Sequence, residues 1–313
     1  MTDAMLQPFE TPADPALDEV VATLLALDPS GSRWAAVVRH TYDMIYNGQE
    51  TGRYRWDQLM KTEKTHFGTL FEINAQRQFL FEGRDEDKTD YRIAGHLVDA
   101  KWSQSNGGWM LPPEVFGELA LVATGDDSNS TWSLGLIRVR TEFRREGSNR
   151  DKKSSLNALG KQSVRWLWLN APLRPNVLLQ LSRDTVDHIF DNRYGTQRTN
   201  RLFREAEGMI VHRNAVATVS RQLDDQRRVR YNGGARSALA PEGIIILSGV
   251  YHSRLAEALE VPIPKSDEYV SVRVVPTPHG GALIDGGRWR RAHFDEPSTA
   301  RAPKIPEPGA REE

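Results

Sequence analysis

The feature that most constrains this chain is a two-residue turn, Ala94-Gly95, set between two short runs of strand-forming residues, Asp90–Ile93 and Leu97–Trp102. A hairpin of this length fixes its own pairing, so position i stands opposite 189 − i. Asp90 then faces Asp99 directly, Lys101 lies on the same face, and Ala100 points into the other layer. Two opposed carboxylates repel one another unless a cation or a proton lies between them. A hard cation such as Mg²⁺ resolves the conflict, because it takes oxygen ligands and keeps water positions free.

A helix predicted over Thr65–Phe79 precedes this hairpin and carries Glu72, a third carboxylate. The candidate metal ligands are therefore Asp90, Asp99, the Ala100 carbonyl and Glu72. The candidate catalytic set is Glu72, Asp90, Asp99 and Lys101, with Lys101 orienting the attacking water and stabilising charge on a phosphate oxygen. The bland alternative is a pair of acids that merely face solvent. The chain has no cysteine, which excludes disulfides, thiol catalysis and cysteine-held metals.

Around the hairpin the pattern is that of an α/β (α+β mixed) protein. Helices are expected from Leu17 to the Asp28-Pro29-Ser30-Gly31 stop and again from Ser32, and strands over Glu118–Thr124 and Thr131–Val139. Together they predict a mixed sheet flanked by helices. The acidic turn at 83–87 and the polar stretch at 146–155 read as surface loops. Asn170–Pro175, with two prolines, reads as the linker. Beyond it come a strand at Val177–Leu181 and helices at Asp184–Phe190, Thr196–Glu207 and Ala215–Gln222, the last capped by Asn214. Another helix runs from an Asp224 cap to Tyr231, followed by strands at Gly243–Leu247 and Tyr269–Val275. Helices followed by a small hairpin are the pattern of a winged helix-turn-helix. The expected organisation is a flexible arm at 1–16, a first domain at 17–167, a linker at 168–175, a winged-helix domain at 176–295 and a disordered tail at 296–313.

Charge separates the two halves. Residues 1–160 hold 18 Lys/Arg against 24 Asp/Glu, whereas residues 161–313 hold 23 against 18. Between Arg193 and Arg236 there are ten arginines, no lysine and four acids. Guanidinium forks match phosphates and guanine edges, so Arg221, Arg227, Arg228, Arg230 and Arg236, around Asn232-Gly233-Gly234, form a candidate duplex-DNA surface. A solvated charged helix face is the alternative. His66, His96, His188 and His212 show no metal-ligand spacing. Without an apolar run of about eighteen residues or a signal-peptide pattern at the start, a soluble cytoplasmic protein with no membrane partner is expected.

Asp90, eight residues and then Asp99-Ala100-Lys101, with Glu72 upstream, resembles the PD-(D/E)xK nuclease core, although no proline precedes Asp90. More closely, the chain resembles the NaeI-type restriction endonucleases. The stretches that carry this are Lys61–His66, Gly68–Asn74, Thr89-Asp90-Tyr91 with Asp99-Ala100-Lys101, and Trp109–Glu114. In the second half Arg228-Val229-Arg230, Gly233–Arg236 and Pro241–Leu247 continue it. The resemblance implies a restriction-endonuclease-like first domain, a CAP-like winged-helix second domain and a Mg²⁺-dependent type IIE activity. It further implies a homodimer holding two duplexes, cleavage of GCCGGC to blunt ends, and Glu72, Asp90, Asp99 and Lys101 as the catalytic and metal-binding set. A sequence-specific regulator with an inactive nuclease fold is the alternative. Ile45-Tyr46-Asn47-Gly48-Gln49 also resembles the nucleotidyl-lysine motif of DNA ligases. Ile45 replaces the nucleophilic lysine and Asn47 the acid, so a turn is expected there rather than ligase chemistry.

Overall fold

The computed structural model describes residues 13–83, 86–145, 153–249 and 251–306, and these form two compact units. Unit 1 comprises the described residues up to Ile45 together with Lys61–Arg174. Unit 2 comprises Tyr46–Met60 and the described residues from Pro175 onward. Residues 1–12 of the expected arm, part of the acidic turn, most of the polar loop at 146–155 and the end of the expected tail lie outside the described residues.

Unit 1 begins with α1 (Pro15–Leu27), capped by the Asp14 carboxylate, which accepts from Leu17 N at 3.1 Å. Asp14 also accepts from Arg138, so residues 14–16, expected within the arm, belong to α1 and its cap. Next come α2 (Ser32–Tyr46), then α3 (Gly48–Thr51) in unit 2, and α4 (Lys61–Phe79). α4 starts four residues earlier than the expected Thr65, because apolar spacing registers only the buried part of a helix. Its Phe67 and Phe71 pack on Trp102, at 4.5 and 5.3 Å between ring centroids, while Trp34 of α2 stacks on Phe79 at 4.3 Å.

A five-stranded sheet follows, in the order β1 (Tyr91–Ile93), β2 (His96–Trp102), β3 (Leu119–Asp126), β4 (Thr131–Arg138) and β5 (Arg165–Pro172), with the short α5 (Ala158–Gln162) before its last strand. β1 and β2 pair Tyr91 with Val98, Arg92 with Leu97 and Ile93 with His96, the register the two-residue turn dictates. Ala94 (φ 52°) and Gly95 (φ 82°) both lie in the left-handed region, as a type I′ turn requires. β2 and β3 run parallel, and Leu119 to Gly125 are all buried, as expected for a central strand covered on both faces. β5 occupies the stretch expected to begin the linker at 168. Its Trp166-Leu167-Trp168-Leu169 run pairs with β4 through a bulged register, and the boundary falls after Arg174 instead.

Unit 2 contains α6 (Val177–Gln180), α7 (Arg183–Phe190), α8 (Gly195–Glu205), β6 (Ile210–His212), α9 (Arg213–Ser220), α10 (Ala235–Leu239), β7 (Ile244–Ser248), α11 (Ser253–Ala258), β8 (Glu268–Pro276), β9 (Ala282–Ile284) and β10 (Gly287–Arg291). β8 pairs with β6, β7 and β10, and β10 with β9, all antiparallel. The strand expected at Val177–Leu181 is a single helical turn. Asn176 caps it by accepting from Leu178 N at 3.2 Å, and burial of Val177 and Leu178 in the core outweighs the β preference of valine. His212 rather than Asn214 caps α9, its Nδ1 accepting from Asn214 N at 3.1 Å. The helix expected after Asp224 is one 3₁₀ turn, Asp225–Arg228. Residues 296–306 were expected to be disordered from their composition. Ala302 and Ile305 are instead buried in the core of unit 2, because the apolar positions of this Pro-rich stretch find a partner surface. No described helix is long and apolar enough to cross a membrane.

Candidate functional site

The hairpin register brings the predicted acids together. Tyr91 is the last paired residue of β1, and one step beyond it Asp90 turns its carboxylate onto β2, where Oδ2 accepts the Ala100 N–H at 2.7 Å. Asp99 is buried in the middle of β2, and Lys101 follows on the same face. The Lys101 ammonium stands 2.5 Å from Asp99 Oδ2 and 4.0 Å from Asp90 Oδ2, and it donates to the Ala100 carbonyl at 2.9 Å. Apart from that ammonium, Asp99 Oδ2 is a buried oxygen without a hydrogen-bonding partner. Asp90, Asp99, the Ala100 carbonyl and Lys101 therefore converge as the sequence predicts.

Glu72 approaches from α4. Packing of Phe67 and Phe71 on Trp102 fixes that helix against β2, and the Tyr91 hydroxyl donates to the Glu72 carbonyl at 2.8 Å. Burial, reinforced by the charge of Asp90, pushes the Glu72 carboxyl up to about 7, with Lys101 opposing. Burial likewise pushes Asp99 up to about 6 against the pull of Lys101, and the Tyr91 phenol rises for the same reason. Glu72 thus feels the charges of Asp90, Asp99 and Lys101 together, which places it electrostatically in the same cluster. The charge of Glu114 also reaches Asp99. Sequence reading assigned Glu114 no role. It comes from the crossover between the parallel strands β2 and β3, in a 3₁₀ turn whose position only the sheet reveals.

The structure divides the arginine segment. Arg236 is buried and donates to the Ile246 carbonyl at 3.0 Å, and Arg228 pairs with Asp224 at 2.8 Å. Arg221, in the left-handed region, donates to the Glu50 carbonyl at 2.8 Å. At Gly234 an added Cβ would stand 2.4 Å from the Arg230 carbonyl, so chain packing alone requires a glycine here. Arg227, Arg230, Asn232 and Gly233 remain exposed, and the first two make no side-chain hydrogen bond or ion pair among the described residues. The ten-arginine count thus overstates the free charge. Arg198 donates to the carbonyls of Asn192, Val219 and Ser220, and Arg204 pairs with Glu242 at 2.7 Å.

The ligase-like motif has a packing role. Asn47 (φ 45°) turns the chain, and an added Cβ at Gly48 would meet Thr218 Oγ1 of α9 at 2.1 Å. Trp109 belongs to the core, its indole donating to the Ala123 carbonyl at 2.8 Å.

Comparison with characterised proteins extends beyond these residues. A family model described as restriction endonuclease NaeI matches residues 18–300. The chain is also similar to the type II restriction enzyme NaeI of Lentzea aerocolonigenes, with 44% identity over 322 residues that cover 99% of this chain and 100% of that protein.

Proposed function

The chain belongs to the NaeI family of restriction endonucleases, and from that membership we propose that it cuts double-stranded DNA at GCCGGC to blunt ends, as a homodimer activated by a second copy of the site. It is a type II site-specific deoxyribonuclease. The observation that supports the cleavage chemistry is the convergence of Asp90, Asp99, the Ala100 carbonyl and Lys101 on one strand pair, while the site and its activation rest on the family membership. A protein that only bound DNA would gain nothing from burying Asp99 beside a second carboxylate and a lysine, so the regulator alternative is not favoured.

The donor set fits Mg²⁺, which is commonly held by one or two carboxylates and completed by water. Asp90, Asp99, the Ala100 carbonyl and Glu72 would hold it, and when bound it supplies an acidified water and charge for the phosphate. Asp90 keeps β2 in place through the Ala100 N–H, and Asp99 is fixed by burial in the sheet. Lys101 offers its ammonium to the attacking water and to the phosphate oxygen that gains charge. The attacking water releases one proton to solvent as its oxygen bonds to phosphorus, the P–O bond to the departing sugar breaks, and the departing oxygen takes a proton from solvent.

In unit 2, α8, β6, α9, α10, β7, α11 and β8 follow in that order, with β6 and β7 on opposite sides of β8. That order supports a winged helix-turn-helix, in which the exposed Arg227, Arg230 and Asn232 meet the activating duplex. A palindromic site is read most simply by a twofold dimer, one subunit per strand. Incubating the protein with unmethylated GCCGGC duplex tests the reading. Mg²⁺ should give cleavage and Ca²⁺ binding without cleavage, with two chains on each palindrome. Binding that never leads to cutting under either ion would favour the regulator.

A further inference from the structure

Composition directs the stretch after Glu296 toward solvent, yet residues 297–306 form a strap with specific anchors in unit 2. The Ala302 N–H donates to the Ala240 carbonyl at 2.8 Å, just after α10, and the Ile305 N–H donates to the Tyr231 hydroxyl at 2.7 Å, just before it. His252 Nε2 meets the Pro306 carbonyl at 2.7 Å, and the Ile305 side chain is 1% exposed. The strap thus ties together both ends of α10, the helix that follows the exposed arginines. Lys304, between these anchors, is exposed, and its ammonium lies over the Tyr231 ring at 5.9 Å from the centroid. The Arg236 guanidinium lies 5.8 Å from the same ring. Tyr231 is the residue between Arg230 and Asn232, so the strap delivers a cation from the far end of the chain to the middle of the candidate duplex-binding loop.

We propose that the strap is part of the second duplex site, with Lys304 as a phosphate contact and the Tyr231–Ile305 hydrogen bond as a tether that holds the Arg227–Gly233 loop in its binding form. The inference rests on the reading that unit 2 binds duplex DNA. Physically, an exposed ammonium resting over a half-buried ring keeps its outer side hydrated, so its charge remains available to a phosphate. A loop tethered before binding also loses less entropy on binding than a free one. Neither contribution requires Lys304 to read a base. Its effect should therefore be uniform across sequences and strongly salt-dependent.

The test uses the full chain and a plasmid with one site, reading the concentration of a short site-bearing duplex that gives half-maximal stimulation. Lys304→Ala should raise that concentration severalfold and reduce its log–log salt slope by about 0.9, the value of one phosphate contact, at an unchanged melting temperature. Lys304→Arg should restore both quantities. Tyr231→Phe keeps the ring and removes the hydroxyl, and it should raise the half-maximal concentration without altering the salt slope. Unchanged concentration and slope in Lys304→Ala would overturn the phosphate contact, and an unchanged value in Tyr231→Phe would overturn the tether. Arg227→Ala with Arg230→Ala, run alongside, separates the two levels of argument. If only the arginine pair matters, the strap inference fails while the reading of unit 2 stands. If no variant matters, or the parent is not stimulated, both fail.

Discussion

At the scale of single residues, Asp99 and Lys101 illustrate how position rather than residue type creates chemistry. An Asp-x-Lys tripeptide on a solvated strand would be inert, whereas here one carboxylate oxygen is buried against an ammonium 2.5 Å away. Asp99→Ala or Lys101→Ala should lower cleavage by several orders of magnitude while specific binding survives, which a parallel cleavage and gel-shift titration reads directly. The arginines separate by the same logic. Arg236→Ala removes a buried donor from the Ile246 carbonyl and should lower stability by about 1–3 kcal/mol in a denaturant titration. The exposed pair Arg227→Ala and Arg230→Ala should leave the unfolding curve in place and weaken duplex binding instead. The juxtaposition of Asp90 and Asp99 is legible because a two-residue turn determines who faces whom over a dozen positions. Glu114 was not, since its approach to Asp99 depends on a parallel pairing of β2 with β3 that no local pattern announces.

Among the elements, the β1–β2 hairpin shows local chemistry working against itself. Ala94 occupies a left-handed position at φ 52° that costs an L-residue with a Cβ about 1–2 kcal/mol. Ala94→Gly should therefore raise stability by up to about 1 kcal/mol, with the catalytic geometry unchanged, as thermal unfolding and cleavage rates together would report. The strap makes a different demand. His252 is buried, accepts from Ser248 N at 3.0 Å and meets the Pro306 carbonyl at 2.7 Å, so both ring nitrogens are occupied in the neutral form. Burial, against the opposing hydrogen bonds, holds its pKa below the ordinary 6.5. The unfolded chain binds this proton more readily, so the contribution is complete above about pH 6.5 and declines as pH falls below it. Glu72 and Asp99, raised in the fold, act in the opposite sense over the same range, so the contribution of His252 is read as a difference: the excess of the parent's melting midpoint over that of His252→Gln should shrink as pH falls from 7.5 to 5. Helix periodicity exposed α1, α2 and the buried part of α4 because each lays a stripe on a core. β5 and the strap escaped notice since their stabilising contacts lie far away in sequence, with Trp132 of β4 opposite Ala171 and Ile305 beside Tyr231.

For the whole molecule, the path of the chain matters as much as its two units. The polypeptide leaves unit 1 after Ile45, contributes Tyr46–Met60 to unit 2, and returns at Lys61 before leaving again after Arg174. Tyr54 is part of the core that contains Val177 and Leu178, and its carbonyl accepts from Asn176 Nδ2 at 3.1 Å across a sequence separation of 122. A fragment beginning at Pro175 would therefore lack a wall of its own core, and circular dichroism of such a fragment should show a poorly cooperative melt. The same threading imposes an order of events during translation. The segment 46–60 leaves the ribosome long before its partners exist, and it must wait, unsheltered, while more than a hundred further residues are made. Completion of unit 2 is thus a late, long-range closure, and its rate, rather than that of the helices around it, should govern how quickly a newly made chain becomes a finished molecule.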